Sequence, residues 1–169
     1  MLRNAFILLL AMLASGCAAP RSSSPPGKPL PVRLFPPEAM VTQRGVLTVL
    51  GRQFPLNGYV ARSEAHGLRL VMTDNFGGVL ADALVKPDGR VFVMKSRAPF
   101  RAVWVERYIA ADLKCIFGGA TETNCPVQMS SPTHFTVERR WYRLDLRTVE
   151  VKPGVQPVEM FDEARGGRP

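Results

Sequence analysis

A series of short apolar and β-branched segments restricts the fold of this chain more than any other feature. Five such segments follow Gly45 in close succession, and they cover residues 46–50, 54–62, 68–72, 79–85 and 90–96. The clearest break between them is Lys86-Pro87-Asp88-Gly89, where proline sets φ and glycine supplies a positive φ. Short segments joined by turns predict an antiparallel meander. Asn57-Gly58 predicts a further turn or a bulge.

Residues 102–117 depart from this β pattern. Most of their apolar side chains recur every three or four residues, while Glu106, Arg107 and Lys114 group on another side. This spacing predicts an amphipathic helix that ends at Gly118-Gly119. Two interpretations remain open, a helix packed on a sheet and a lid over an apolar groove. The residues on the predicted buried face are Trp104, Val105, Tyr108, Ile109, Asp112, Leu113, Ile116 and Phe117.

The segment that follows Cys125 and a loop returns to a strand pattern whose apolar face changes sides twice. The first reversal falls near Arg140 and the second at Val149, and each predicts a bulge or a tight turn. Four arginines lie in this segment, either on solvated strand faces or in a patch for lipid head groups or a partner. They are Arg139, Arg140, Arg143 and Arg147.

An apolar run that begins at Ala5 ends in Leu13-Ala14-Ser15-Gly16-Cys17, the pattern of a bacterial lipobox. Because a membrane-spanning helix needs about 20 apolar residues, this run predicts a secretory signal over residues 1–16. Cys17 is the expected site of cleavage and acylation, and an ordinary signal cleavage site is the alternative. Residues 18–37 contain seven prolines and a serine run. Residues 17–37 are therefore expected to form a lipidated linker.

The remaining chain is long enough for one domain, expected over residues 38–161, with a frayed tail at 162–169. Its formal charge of +8, or +7 without the signal, favours anionic lipid head groups as partners, whereas the export signal argues against nucleic acid. With Cys17 acylated, Cys115 and Cys125 form an even pair in an oxidising compartment. A structural disulfide between them is expected, in preference to a zinc or redox site.

Residue patterns typical of catalysis are missing from the sequence. His66 and His134 lie in no metal-binding or nucleophile-elbow context, and no nucleotide-binding loop or metalloprotease motif occurs. Ser130 lies close to His134, yet neighbours on one loop seldom reach a catalytic geometry. We therefore expect a protein that is not an enzyme and that holds no metal and no cofactor.

The block formed by residues 67–78 resembles LolB, the outer-membrane receptor for lipoproteins. In that family an apolar strand leads into a short loop and a second strand, and here the loop is Thr73-Asp74-Asn75-Phe76-Gly77. The similarity extends loosely over residues 43–95, about a third of the chain. The chain also resembles the LolB-like lipoproteins of aryl-polyene gene clusters, which carry a helix similar to residues 107–117.

The resemblance implies a mainly β (α+β) fold, an incomplete antiparallel β-barrel or half-barrel with a covering helix, around an apolar cavity for acyl chains. It assigns membrane contact to Phe76, with a loop aromatic folded back onto the core as the alternative. Trp104, Tyr108 and Phe117 on the helix are candidates for the cavity lining.

These expectations combine into a lipoprotein anchored at the periplasmic face of the outer membrane through Cys17. Its expected partners are the membrane, acylated cargo (lipoprotein, aryl-polyene lipid or glycolipid) and a periplasmic carrier. Ala18, in place of Asp, agrees with outer-membrane sorting. The alternative is a non-catalytic scaffold lipoprotein of an envelope assembly, with a filled barrel and a protein partner on residues 139–147.

Overall fold

The structure, a computed structural model, describes residues 34–118, 125–154 and 157–162. The predicted signal, the acylation site Cys17, most of the linker, Gly119 and all but the first residue of the predicted tail lie outside the described residues. Within the described part of the chain, no helix is long and apolar enough to cross a bilayer.

Eight strands form one antiparallel sheet in the order β5-β4-β3-β2-β1-β8-β7-β6. The predicted meander of the first five strands is confirmed, and β8 joins the last three strands to β1. The architecture is mainly β. The sheet does not close into a barrel, because β5 and β6 are its two edges. The strands are β1 (Ala39–Val49), β2 (Arg52–Ser63), β3 (Gly67–Thr73), β4 (Val79–Val85), β5 (Val91–Ser96), β6 (Val127–Ser131), β7 (His134–Glu138) and β8 (Tyr142–Pro153).

The predicted helix is present and crosses one face of the sheet. It consists of α1 (Ala102–Trp104), a π-helical stretch (Val105–Ile109) and α2 (Ala110–Phe117). Eight strands about 4.8 Å apart span roughly 34 Å, whereas a helix is about 10 Å across. Since α2 contacts β3 and β4 on one half of the sheet and β6 at the far edge, the sheet must curl around it. The main core lies between this concave face and the helix.

The outer face carries a second, smaller core under a 3₁₀ helix (Val158–Phe161). Phe161 packs there with Ala61 and Leu84. The guanidinium of Arg69 pairs with Asp82 at 2.8 Å and also donates a hydrogen bond to the carbonyl of Met160. This short helix is therefore fixed to the sheet from outside.

The turns or bulges predicted at Asn57-Gly58, Arg140 and Val149 have three different outcomes in the structure. Asn57-Gly58 is neither a turn nor a bulge, because β2 pairs regularly with β1 through both residues. Gly58 instead permits close packing, since a Cβ there would lie 3.2 Å from the Cβ of Gln43. The reversal near Arg140 is a tight turn between β7 and β8, and the reversal at Val149 is a bulge in β8.

The predicted disulfide between Cys115 and Cys125 is present, with an S–S distance of 2.10 Å. Cys115 lies in the last turn of α2, and Cys125 lies two residues before β6. The bond therefore ties the end of the helix to an edge strand of the sheet.

Candidate functional site

The turns at one end of the sheet form the candidate site. Because the strands alternate in direction, β1, β3, β5 and β7 all finish at this end. We call it the Phe76 end, and it comprises residues 50–52, 74–78, 97–101 and 139–141. The opposite end comprises residues 34–38, 64–66, 86–90 and 132–133.

Phe76 lies at the tip of the β3–β4 loop with 98% of its surface exposed. One carboxylate oxygen of Asp74 accepts hydrogen bonds from the backbone N–H of Phe76 at 2.9 Å and of Gly78 at 2.7 Å. The other oxygen accepts a hydrogen bond from Arg97 at 2.8 Å. Gly77 completes the turn with a φ of +81°. The loop is thus held by several hydrogen bonds, and its aromatic side chain points away from the core.

A second exposed apolar side chain, Leu50, lies at the β1–β2 turn of the same end. Sequence reasoning placed Leu50 at the end of a strand, but the strand stops at Val49 and Leu50 occupies the turn. Its φ is +48°, and Gly51 follows with a φ of +79°. Leu50 is 85% exposed. The sequence signal for this exposed leucine is the pair Leu50-Gly51, because such a turn usually contains Asn-Gly or Asp-Gly.

The three aromatic residues proposed to line a cavity do not converge. Trp104 and Tyr108 are half-buried and contact Trp141, with ring centroids 4.6 Å and 5.2 Å away. Phe117 is buried elsewhere, in the core, where its ring lies 5.1 Å from that of Phe35. Two of the three therefore join the start of the helix to the β7–β8 turn, and the third fills the interior.

Side chains fill the middle of the space between sheet and helix, whereas an open cavity of about 260 Å³ lies at the opposite end, between Leu68 and Val85 of the sheet and Lys114 of the helix. The space left beside Leu113 and Phe117 has a volume of about 10 Å³, room for about one water molecule. Gln43, 1% exposed, lines this space and donates a hydrogen bond from its Nε2 to the hydroxyl of Thr148 at 2.7 Å. Its Oε1 has no hydrogen-bond partner among the described residues.

Asp112 is a fully buried carboxylate that fastens the helix to the β7–β8 turn. It accepts hydrogen bonds from the guanidinium of Arg139 and from the hydroxyl of Tyr142. Burial raises the pKa of the Tyr142 phenol, and the hydrogen bond to Asp112 raises it further. The hydrogen bond to Asp112 also raises the pKa of Arg139. Sequence reasoning placed Asp112 on the apolar face without a role, although a carboxylate there needs a partner.

The four arginines of residues 139–147 do not form one open patch. Arg139 pairs with Asp112, and Arg143 pairs with Asp145 at 2.9 Å. Burial alone would raise the pKa of Asp145, but hydrogen bonds from Arg143 and Thr136 outweigh it and lower that pKa. Part of this positive charge is therefore engaged within the domain.

The residues considered for metal binding and catalysis are dispersed. In the described ranges, no three His, Cys, Asp or Glu side chains lie close enough to share a metal ion. The hydroxyl of Ser130 approaches the backbone carbonyl of His134 at 3.5 Å. The ring of His66 stacks on Phe161.

Comparison with known proteins found no match, neither to a family model nor to a curated protein.

Proposed function

We propose that this chain is a LolB-like lipoprotein of the outer membrane, which accepts acylated cargo and helps deliver it to the bilayer. The observation that carries the proposal is the exposure of Phe76 at the tip of a fixed loop. Burying a phenylalanine side chain is worth about 2–3 kcal/mol, so a 98% exposed ring on a fixed loop forgoes that stabilisation. A bilayer that contacts the loop would restore it.

The concave face of the sheet supports the cargo half of the proposal. Its side chains are apolar, and an acyl chain gains about 0.8 kcal/mol for each methylene that it buries. The space beside Leu113 and Phe117, about 10 Å³, has no room for a chain. Uptake is therefore coupled to displacement of α2 from the sheet, and the hydrogen bonds of Asp112 oppose that step. The disulfide at Cys115 leaves the start of the helix as the part that opens.

Bound lipid provides the direct test of cargo binding. Protein purified from membranes without detergent is extracted and examined by mass spectrometry, and a fluorescent fatty-acyl probe is then offered to it. We expect co-purified acyl lipid or saturable probe uptake. A folded protein that contains no lipid and takes up no probe would refute cargo binding.

Delivery tests the role of Phe76. We expect Phe76→Glu to keep its unfolding midpoint, because the ring contacts no core, and to lose transfer of a bound acyl probe to vesicles. Phe76→Leu is the matched control and should transfer normally. Equal transfer by all three proteins would remove the role of Phe76.

The filled interior favours a second candidate, a scaffold lipoprotein that docks on an envelope assembly without holding lipid. This function needs no helix movement. A pull-down from envelope extracts separates the two, since stoichiometric recovery of one protein without acyl lipid would support the scaffold. Recovery of lipid without a stoichiometric protein would support the carrier.

A further inference from the structure

The β1–β2 turn places a leucine where the backbone disfavours it. Leu50 and Gly51 both have positive φ values, +48° and +79°, the pattern of a type I′ turn. Such positions are usually occupied by Asn, Asp or Gly, because other L-residues rarely adopt this conformation. Backbone strain of this kind is a reason to look for a function. Folding alone therefore does not account for Leu50.

Leu50 also projects into open space. It is 85% exposed, and a Cβ added to the adjacent Gly51 would have no atom within 4 Å. The same is true of Gly77 beside Phe76. Asn57 pairs with Thr73 at the end of β3, so β2 continues beyond that level as far as Arg52. The two apolar tips are therefore separate points.

The charge of the two ends of the sheet differs. The segments of the opposite end carry a net charge of −1, from Glu38, Glu64, Lys86, Asp88 and Arg90, or zero when Lys114, whose ammonium lies beside Gly89, is included. The segments of the Phe76 end carry a net charge of +4, or +3 when Asp112, which pairs with Arg139, is included. Their charged residues are Arg52, Asp74, Arg97, Arg101, Arg139 and Arg140. The end that presents both apolar tips is therefore the one that attracts an anionic surface.

We propose that Leu50 is a second membrane anchor, which enters the surface of an anionic bilayer together with Phe76. The inference rests on the proposed function, because it concerns the same end of the sheet. A stable protein partner would typically bury a continuous patch of about 800 Å² on this surface. Two separate tips among arginines fit a fluid bilayer better, since each tip is embedded independently. Contact by both tips requires the strands to be inclined to the membrane.

Depth measurement on the full-length acylated protein tests the location. Cysteine is introduced at Gln53, beside the Leu50 turn, or, as a control at the opposite end, at Asp88, and is labelled with an environment-sensitive fluorophore while Cys115–Cys125 stays oxidised. In phosphatidylglycerol/phosphatidylethanolamine vesicles with spin-labelled lipids, we expect several-fold stronger quenching at position 53 than at position 88. Quenching should fall in phosphatidylcholine vesicles. Equal quenching at both positions would overturn the proposal.

Leu50→Asn tests whether the leucine side chain itself holds this turn in the bilayer. Asparagine suits the turn, so we expect a higher unfolding midpoint together with loss of quenching from a fluorophore at Gln53, near the same tip. Unchanged quenching would refute an anchoring role for Leu50. The outcome is separable from the proposed function, because uptake of an acyl probe does not depend on Leu50. Normal uptake with no quenching at position 53 overturns this inference alone.

Discussion

Asp112 provides the sharpest test of how the helix is held against the sheet. In Asp112→Ala, the hydroxyl of Tyr142, a residue only 3% exposed, loses its acceptor. A buried polar group without a partner costs about 1–3 kcal/mol. Arg139 loses its carboxylate as well, but its side chain is 33% exposed and regains water. We therefore expect the free energy of unfolding to fall by about 3 kcal/mol, mostly through the tyrosine.

Urea unfolding followed by tryptophan fluorescence measures this loss, because Trp104 and Trp141 lie at the junction of helix and turn. Asp112→Asn keeps one acceptor and should cost about half as much. Adding Tyr142→Phe to Asp112→Ala removes the orphaned hydroxyl, so the double variant should be more stable than the sum of the single effects predicts.

The same variants bear on cargo uptake. If displacement of α2 limits the rate, a loss of about 1.4 kcal/mol in Asp112→Asn should accelerate uptake of an acyl probe about tenfold. A cost below about 1 kcal/mol for Asp112→Ala, or strictly additive effects with Tyr142→Phe, would refute the reasoning that Asp112 holds the helix through these bonds.

Three further predictions follow from the described contacts. Replacing Cys115 and Cys125 together by alanine should lower the free energy of unfolding by about 2.7 kcal/mol, since the bond closes a loop of 10 residues; equal urea midpoints for oxidised and reduced wild-type protein would contradict this. The free energy of unfolding should be constant up to about pH 10 and fall above it, because the raised pKa of Tyr142 keeps a proton in the folded state that the unfolded chain releases. Tyr142→Phe should lack this decline. The same alkaline profile in both proteins would contradict the prediction. Gln43→Leu should change stability by less than about 1 kcal/mol, whereas Gln43→Ala should cost about 2–3 kcal/mol; similar losses would mean that the amide is satisfied by an interior water.

Local chemistry made much of the fold predictable. The Pro87–Gly89 turn, the five-strand meander and the helix ended by Gly118 each depend on neighbours in sequence. The pairing of β8 with β1 depends on contacts between distant residues, and no local pattern specifies it. The meaning of Asn57-Gly58 likewise depends on Gln43 across the strand pair.

The candidate site was only partly predictable for the same reason. Phe76 stood out because glycine and polar residues surround it, yet its exposure depends on the hydrogen bonds that Asp74 accepts from the loop backbone and from Arg97. Asp112 lies on a face with apolar spacing, and its partners come from a turn about 30 residues away. The volume of the interior follows from how all strands curl around Phe117, which periodicity does not describe.

The direction of β1 determines how far the linker must extend to reach the membrane. The chain enters the sheet at Ala39, at the end opposite Phe76, and the 11 residues of β1 span roughly 37 Å. The end of β3, which leads to Phe76, lies level with Arg44, about 17 Å along β1 from Ala39, so a Cys17 anchored in a bilayer at Phe76 requires the linker to run back over about half of β1. Residues 18–37 reach about 60 Å when extended, and half of them reach about 30 Å. Half of the linker would therefore still reach a bilayer at Phe76, whereas a bilayer at Leu50, beyond the far end of β1, would need more than half of it.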